Sequence, residues 1–125
     1  MKEIKPTTNK GASDKFAGDV YATIVLSGDE PSKIHTWSVH FAPGAKTAWH
    51  SHAVGQYLHI VEGTALVQER GGEVKELHPG QTIYTAPGVE HWHGASEDSF
   101  MVHLAIWQGK ENGDGATTWL EHVDH

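Results

Sequence analysis

The pattern of apolar and polar positions from Gly11 onward is that of short β-strands. Short runs rich in Val, Ile, Thr, Tyr and Trp are separated by Gly, Pro, Asn and Asp. No long run has the periodicity of an amphipathic helix. The predicted strands are VYATIVL, KIHTWSVHF, AWHSH, GQYLHIVEG, TALVQER, EVKEL, QTIYTA, EHWHGA, SFMVHLAIW and, as a possible closing strand, TTWLEHV. The sequence therefore predicts an all-β sandwich or barrel.

The turn signals and the chain length indicate one domain over residues 1–125. Gly71-Gly72 lies between two predicted strands as a tight hairpin, and APG and HPG triplets mark further turns. A chain of 125 residues fits a single compact core. Residues 1–15 are polar and mixed, so we expect an arm that packs on a neighbouring subunit or stays loose.

Side-chain alternation along these strands predicts a cluster of histidines. His50 and His52 share one face of their strand, and His91 and His93 share one face of theirs. Gln56 and His103 lie on the faces of two further strands by the same alternation. If all these faces are interior, the barrel collects five histidines and a glutamine.

Composition and charge narrow the chemistry of such a cluster. Nine Lys and Arg against 16 Asp and Glu give a formal net charge of -7, which argues against nucleic acid and anionic membranes as partners. The chain has no cysteine, so any metal must be held by nitrogen and oxygen. It shows neither a secretory signal nor an apolar run long enough to cross a bilayer, so we expect a soluble cytoplasmic protein. The 11 histidines are the unusual feature, because imidazole binds divalent metals and titrates near neutral pH.

The spacing of glycines and histidines resembles the two motifs of the cupin superfamily over nearly the whole chain. The first cupin motif is glycine, five residues, His-x-His, three or four residues, an acid, six residues and glycine. The matching residues are Gly44, His50, His52, Gln56 and Gly63, with glutamine at the place of the acid. The resemblance implies a double-stranded β-helix, or jelly-roll barrel.

The second cupin motif is matched less closely. Gly80, Gly88 and His91 have its spacing, whereas its proline is displaced by one residue to Pro87 and its asparagine is replaced by Ala95. The metal residues are retained. The resemblance implies a divalent ion held by His50, His52, Gln56 and His91.

The ligand types fit several metals. Imidazole nitrogens and an amide oxygen suit first-row ions such as iron, nickel, copper, zinc or manganese, and the ligand types alone do not choose among them. Four neutral ligands leave the charge of the ion uncompensated and so favour a strong Lewis acid. Gln56 has an alternative role, which is to hydrogen-bond a ligand histidine. Simple packing or solvation of the histidines is the alternative to metal binding.

Four of the other eight histidines divide into two groups. His93 and His103 are predicted to face the cavity, either as catalytic bases or as residues that hold a ligand or water in place. His35 and His59 are predicted to face outward or into a subunit interface, His35 on the condition that Trp37 and Val39 fill a different layer. We assign no chemistry to His35 or His59.

Within the cupins, the runs TAWHSH, GQ, HWHG and HLAI resemble small bacterial proteins that include manganese-dependent hydroxynitrile lyases. This resemblance implies cleavage of a cyanohydrin such as mandelonitrile, or the reverse addition, and makes manganese our first expectation for the ion, with iron, nickel or zinc as alternatives. For this reaction His93 is the candidate base, and His103 is expected to stabilise or protonate the departing cyanide. An apolar pocket for an aryl group is predicted from Val54, Leu58, Ile83, Trp92 and Trp107.

Two other functions remain open from the sequence. One is a metal-dependent dioxygenase, and the other is a non-catalytic cupin that binds a small molecule. The resemblance also suggests a homodimer or homotetramer, because open β-barrels commonly cover an edge strand by association.

Overall fold

The computed structural model describes residues 1–28, 32–109 and 117–124, which form an all-β barrel. The strands are β1 Thr7–Lys10, β2 Phe16–Ala17, β3 Val20–Ser27, β4 Ile34–Phe41, β5 Lys46–Thr47, β6 His50–His52, β7 Gln56–Gly63, β8 Ala65–Glu69, β9 Lys75–Leu77, β10 Thr82–Thr85, β11 His91–Ala95, β12 Met101–Gln108 and β13 Thr117–Trp119. Among the described residues, no helix has the length and apolarity needed to span a membrane. The predicted fold class is confirmed.

The strands form two antiparallel sheets. The first sheet has the order β1-β3-β4-β12-β7-β10, and the second has the order β13-β6-β11-β5-β2. The β8–β9 hairpin joins the second sheet through the pairing of β8 with β11. Consecutive strands β6 and β7 lie in different sheets, so the chain passes from one sheet to the other in the segment that follows the His-x-His motif.

The sequence predicted the longer strands and missed three short ones. β1, β2 and β5 have only two to four residues each and carry no clear alternation. β1 lies inside the segment predicted as an arm, and it pairs with β3 of the same chain from Thr7 opposite Ile24 to Lys10 opposite Tyr21. The segment ENGDGA, predicted as a loop, lies outside the described residues.

One buried cluster of apolar side chains fills part of the interior. We call it the apolar cluster, and its buried members are Val20, Val39, Phe41, Ala45, Ile60, Ala65, Ala95 and Met101. They come from both sheets, since β3, β4, β7 and β12 belong to the first sheet and β8 and β11 to the second. The same strands continue past this cluster toward the histidines.

A β-bulge shifts the register between β7 and β12 by one residue. Met101 lies opposite Gly63 and Val102 opposite Glu62, but His103 lies opposite Ile60, so Val61 is the extra residue. Gly63 ends β7 with a positive φ of 77°, and a Cβ at this position would collide with the carbonyl oxygen of Phe100. The bulge leaves both His103 and Ile60 buried.

Candidate metal centre

The two cupin motifs meet in the second sheet. β6 and β11 pair so that His50 lies opposite His91, and their ring centroids are 4.3 Å apart. The amide N–H of Gly88, which has a φ of 79°, donates to the carbonyl oxygen of His52 at 2.8 Å. The turn before β11 is thereby tied to the strand that carries His50 and His52.

Three buried histidines lie close enough to share one ion. His50, His91 and His93 each offer a ring nitrogen, and these atoms all lie within 4.8 Å of one another. Imidazole nitrogens bind metals at about 2 Å, so nitrogens that share one ion are at most about 4 Å apart, and small rotations of these rings would bring them to that separation. Of the predicted ligands, His50 and His91 belong to this group, whereas His93 was predicted as a base.

His52 and Gln56 lie beside this group. The ring centroid of His52 is 5.0 Å from that of His50 and 5.3 Å from that of His91. Gln56 is buried and lines the same cavity as His50 and His93. The structure thus brings the four predicted ligands to one region, and their ligand roles remain predictions.

Hydrogen bonds fix the tautomer of two ligand candidates. The Nδ1–H of His50 donates to the carbonyl oxygen of Ala48 at 2.8 Å, and that of His91 donates to the carbonyl oxygen of Val89 at 2.9 Å. A carbonyl oxygen only accepts, so Nδ1 carries the proton and Nε2 keeps its lone pair in the neutral ring. This is the arrangement that metal-binding histidines use.

Buried polar atoms without a partner support a bound ion. Within residues 1–28, 32–109 and 117–124, the Oε1 of Gln56, the Nε2 of His91 and the Nε2 of His93 are buried without a hydrogen bond. An unpaired buried acceptor costs free energy, and coordination would remove that cost. These residues therefore fit a divalent ion.

Burial keeps these rings neutral at physiological pH. Burial, with His91 as the next cause, holds the pKa of His50 well below its ordinary value, and burial lowers that of His91. A metal ligand must be deprotonated, so the low pKa values favour binding.

His93 and His103 form a hydrogen-bonded pair. The Nε2 of His103 lies 3.0 Å from the Nδ1 of His93, and both side chains are buried. Burial, followed by the charge of His103, holds the pKa of His93 well below its ordinary value, and burial lowers the pKa of His103 to about 4. Both rings are neutral near pH 7, so the pair can accept a proton.

A cavity of about 370 Å³ opens onto the histidines. Its wall includes His50, Gln56, His93 and His103, together with the aromatic residues Phe16, Trp37, Trp107 and Trp119. The volume lies in the range of roughly 300–1,000 Å³ usual for small-molecule sites. None of the described residues that line it is an aspartate or glutamate.

The predicted aryl pocket is only partly correct. Trp107 lines the large cavity, whereas Leu58, Ile83 and Trp92 line a separate cavity of about 150 Å³. Trp92 alternates with His91 and His93, and its indole N–H donates to the Oε1 of Gln68 at 2.8 Å. The sequence missed Trp37, which alternation could have placed with Val39, and it missed Phe16 and Trp119, whose strands are too short to show a pattern.

The prediction that His35 faces outward is wrong. Its side chain is fully buried and stacks on Trp107 with ring centroids 5.4 Å apart. His35, Trp37 and Val39 follow the same inward alternation on β4, so the separate layer on which the prediction depended does not exist. His59, in contrast, is partly exposed and pairs with Thr82.

Comparison with known proteins gives consistent matches. The model of the cupin domain matches residues 37–107. An (R)-mandelonitrile lyase of Granulicella tundricola is 43% identical over 117 residues, covering 93% of this chain and 87% of that protein. The crystal structure of a cupin-like protein of Thermotoga maritima is 36% identical with a TM-score of 0.85, covering 93% of this chain and 86% of its own. A DMSP lyase structure, 22% identical with a TM-score of 0.68 over 82% of this chain and 53% of its own, is similar in fold.

Proposed function

The chain belongs to the cupin family, and we propose that its histidine-lined cavity is the active site of a metal-dependent lyase that cleaves a cyanohydrin to an aldehyde and hydrogen cyanide, or catalyses the reverse addition. The relative from Granulicella tundricola is a mandelonitrile lyase, and this relationship supports lyase chemistry. The observation that carries the proposal is the buried group His50, His91 and His93, with ring nitrogens within 4.8 Å of one another. Two of its members, His50 and His93, line a cavity large enough for a small molecule.

The ligand set proposed for the ion is His50, His52, Gln56 and His91. All four are neutral, so the ligands themselves would leave the charge of a bound cation uncompensated, and no carboxylate is among the described residues that line the large cavity. A bound divalent ion such as manganese would supply Lewis acidity toward the substrate hydroxyl. The protein contributes the fixed ring orientations of His50 and His91.

His93 is the proposed base. As a base it must carry its proton on Nδ1, which then donates to the Nε2 of His103 at 3.0 Å, and its Nε2 is left to accept the hydroxyl proton. The hydroxyl oxygen then forms the carbonyl as the bond between carbon and cyanide breaks. Cyanide leaves with the electron pair and takes up the proton that His93 removed, so His93 returns to its neutral form and the reaction involves no net oxidation or reduction.

The cavity wall suits an aryl substituent on the cyanohydrin. Trp37 and Trp107 meet edge to face with centroids 5.4 Å apart, and Phe16 and Trp119 lie 5.8 Å apart in a tilted pair. Aromatic walls favour a flat apolar group through area burial and ring contacts. Mandelonitrile is therefore the first substrate to test.

The test of this function is mandelonitrile cleavage by metal-free protein with and without added Mn²⁺, followed as benzaldehyde release. We expect cleavage that depends on the metal. Oxygen consumption in place of cyanide release would instead indicate an oxygenase, and ligand binding without turnover would indicate a binding protein.

Replacement of His93 distinguishes its two possible roles, which are general base and metal ligand. We expect His93→Ala to keep stoichiometric Mn²⁺ and to lower the turnover rate by about 10²- to 10⁴-fold, the usual contribution of a general base. His59→Ala is the matched control, because His59 lies outside the cavity and its Nδ1 pairs with Thr82 at 2.8 Å. Loss of Mn²⁺ from His93→Ala would show that His93 is a ligand.

A further inference from the structure

The strand β13 lies outside the segment that matches the cupin domain, yet it borders the candidate ligands. β13 pairs with β6 so that Thr117 lies opposite His52 and Trp119 opposite His50. The pairing continues beyond the strand, since the amide of Leu120 donates to the carbonyl of Trp49 at 2.8 Å. The C-terminal segment is thus an edge of the sheet that carries the His-x-His motif.

The ring of His52 is held differently from those of His50 and His91. His50 and His91 each bond to a carbonyl two residues earlier in their own segment. The Nδ1 of His52 instead lies 3.0 Å from the Oγ1 of Thr117, a residue 65 positions away in the chain. The pairing of β13 with β6 therefore brings a hydrogen-bond partner to this ring.

Trp119 gives the same strand a second contact with the centre. Its ring stacks on His50 at 4.7 Å with an interplanar angle of 30°, and it also lines the large cavity. The ring of Trp119 also contacts Phe16, and Lys15 lies over the ring at 5.6 Å. β13 thus contacts both histidines of the His-x-His motif.

We propose that Thr117 is a positioning residue for the metal centre, because its hydroxyl fixes the ring of His52 with Nε2 available to a cation. This inference rests on the ligand role proposed for His52. A hydroxyl can accept or donate. When His52 binds a metal through Nε2, its Nδ1 carries a proton, so the hydroxyl of Thr117 accepts. Partners of this kind commonly contribute 10- to 100-fold to metal affinity.

The experiment measures Mn²⁺ affinity of the full chain by competition with a chelator. Thr117→Val removes the hydroxyl with little change of shape, and we expect about 10- to 100-fold weaker Mn²⁺ binding. Thr117→Ser keeps the hydroxyl and should bind Mn²⁺ nearly as well as the parent protein. Parent-like Mn²⁺ affinity in Thr117→Val would overturn the proposal.

Two control variants separate positioning from general damage. Thr82→Val breaks the same type of bond, between the Oγ1 of Thr82 and the Nδ1 of His59 at 2.8 Å, away from the centre. Thr118→Val makes the same substitution at the adjacent exposed position of β13. Both should keep the parent affinity, and weakening by Thr118→Val equal to that by Thr117→Val would contradict a role for the hydroxyl.

A spectroscopic measurement tests the ring directly. In metal-free protein the ring of His52 should give one sharp set of ¹⁵N chemical shifts in the parent and in Thr117→Ser, and broadened or multiple signals in Thr117→Val, because the ring loses the bond that holds its orientation. One sharp, unchanged set in Thr117→Val would refute the positioning role. Neither this measurement nor the affinity measurement needs lyase activity, so a protein that fails the mandelonitrile assay can still support or refute the role of Thr117.

Discussion

The apolar cluster and the histidines occupy the same barrel interior and come from some of the same strands. They differ in the kind of side chain that they bury, which is apolar in the first region and polar in the second. On β12, Met101 belongs to the apolar cluster, and two residues later His103 faces the cavity. On β7, Ile60 is buried in the apolar cluster, whereas Gln56 lines the cavity. One strand therefore contributes to stability at one position and to chemistry at another.

The difference lies in the polar atoms that burial leaves without partners. Buried side chains of the apolar cluster carry no polar side-chain atom. In the part of the chain that the structure describes, the buried unpaired atoms include the Nε2 of His93, the Nδ1 of His103 and the Nε1 of Trp107, all in the wall of the large cavity. The folded state tolerates the free-energy cost of these unpaired atoms at a site where a bound ligand can supply the missing partners.

The largest expected effect comes from removing a ligand candidate of the histidine region. We expect His50→Ala and His91→Ala each to abolish stoichiometric metal binding while the barrel stays folded, because each substitution removes one of the four proposed ligands. Elemental analysis measures the metal, and circular dichroism measures the fold. Retained stoichiometric metal in both variants would contradict the ligand assignment.

A truncation in the apolar cluster should have the opposite profile. Met101→Ala is expected to lower the free energy of unfolding by about 2–5 kcal/mol, because it removes buried apolar contacts and leaves a cavity. Metal stoichiometry should not change, since Met101 offers no ligand to the centre. Chemical denaturation of metal-free protein measures the loss. Reduced metal content in folded Met101→Ala would show that the two regions are energetically coupled.

The last expected effect, comparable in size to that of Met101→Ala, is the pH dependence that the buried histidines confer. Burial lowers the pKa of His103 to about 4, below the unfolded value of 6.5, so the unfolded chain takes up a proton first. The contribution to stability is complete above pH 6.5 and is lost as pH falls toward 4, by about 3 kcal/mol for this residue. Denaturation of metal-free protein across this range measures the effect.

Two variants decide whether this pH dependence belongs to the histidines. His103→Asn should make the free energy of unfolding less dependent on pH, whereas Met101→Ala should lower it at every pH and keep the parent slope. Equal slopes in the parent and in His103→Asn would assign the pH dependence to other groups.

The sequence predicted the all-β fold and the convergence of the histidines because both follow from local alternation. His50, His52, His91 and His93 lie in short stretches where side-chain direction can be counted. The glycine spacing supplied the cupin resemblance, and that resemblance is confirmed by the match over residues 37–107.

Contacts between distant segments could not be counted in the same way. The bond between Thr117 and His52 depends on the pairing of β13 with β6, and the wall formed by Phe16 depends on the two-residue strand β2. The error at His35 has a related cause. The prediction depended on Trp37 and Val39 filling a different layer from His35, and the layering of side chains between strands is not visible in the local pattern. Long-range pairing carries information that no local pattern contains.

The bulge at Val61 determines which side chains of β7 reach the cavity. Had β7 paired regularly with β12 from Gly63 onward, the residue opposite His103 would have been Val61 in place of Ile60. Each residue of β7 before Val61 would then have pointed its side chain to the opposite face of the sheet. Tyr57 and His59 would have turned inward and Gln56 outward. A single inserted residue thus decides which of two polar side chains, an amide or an imidazole, the barrel offers to its cavity.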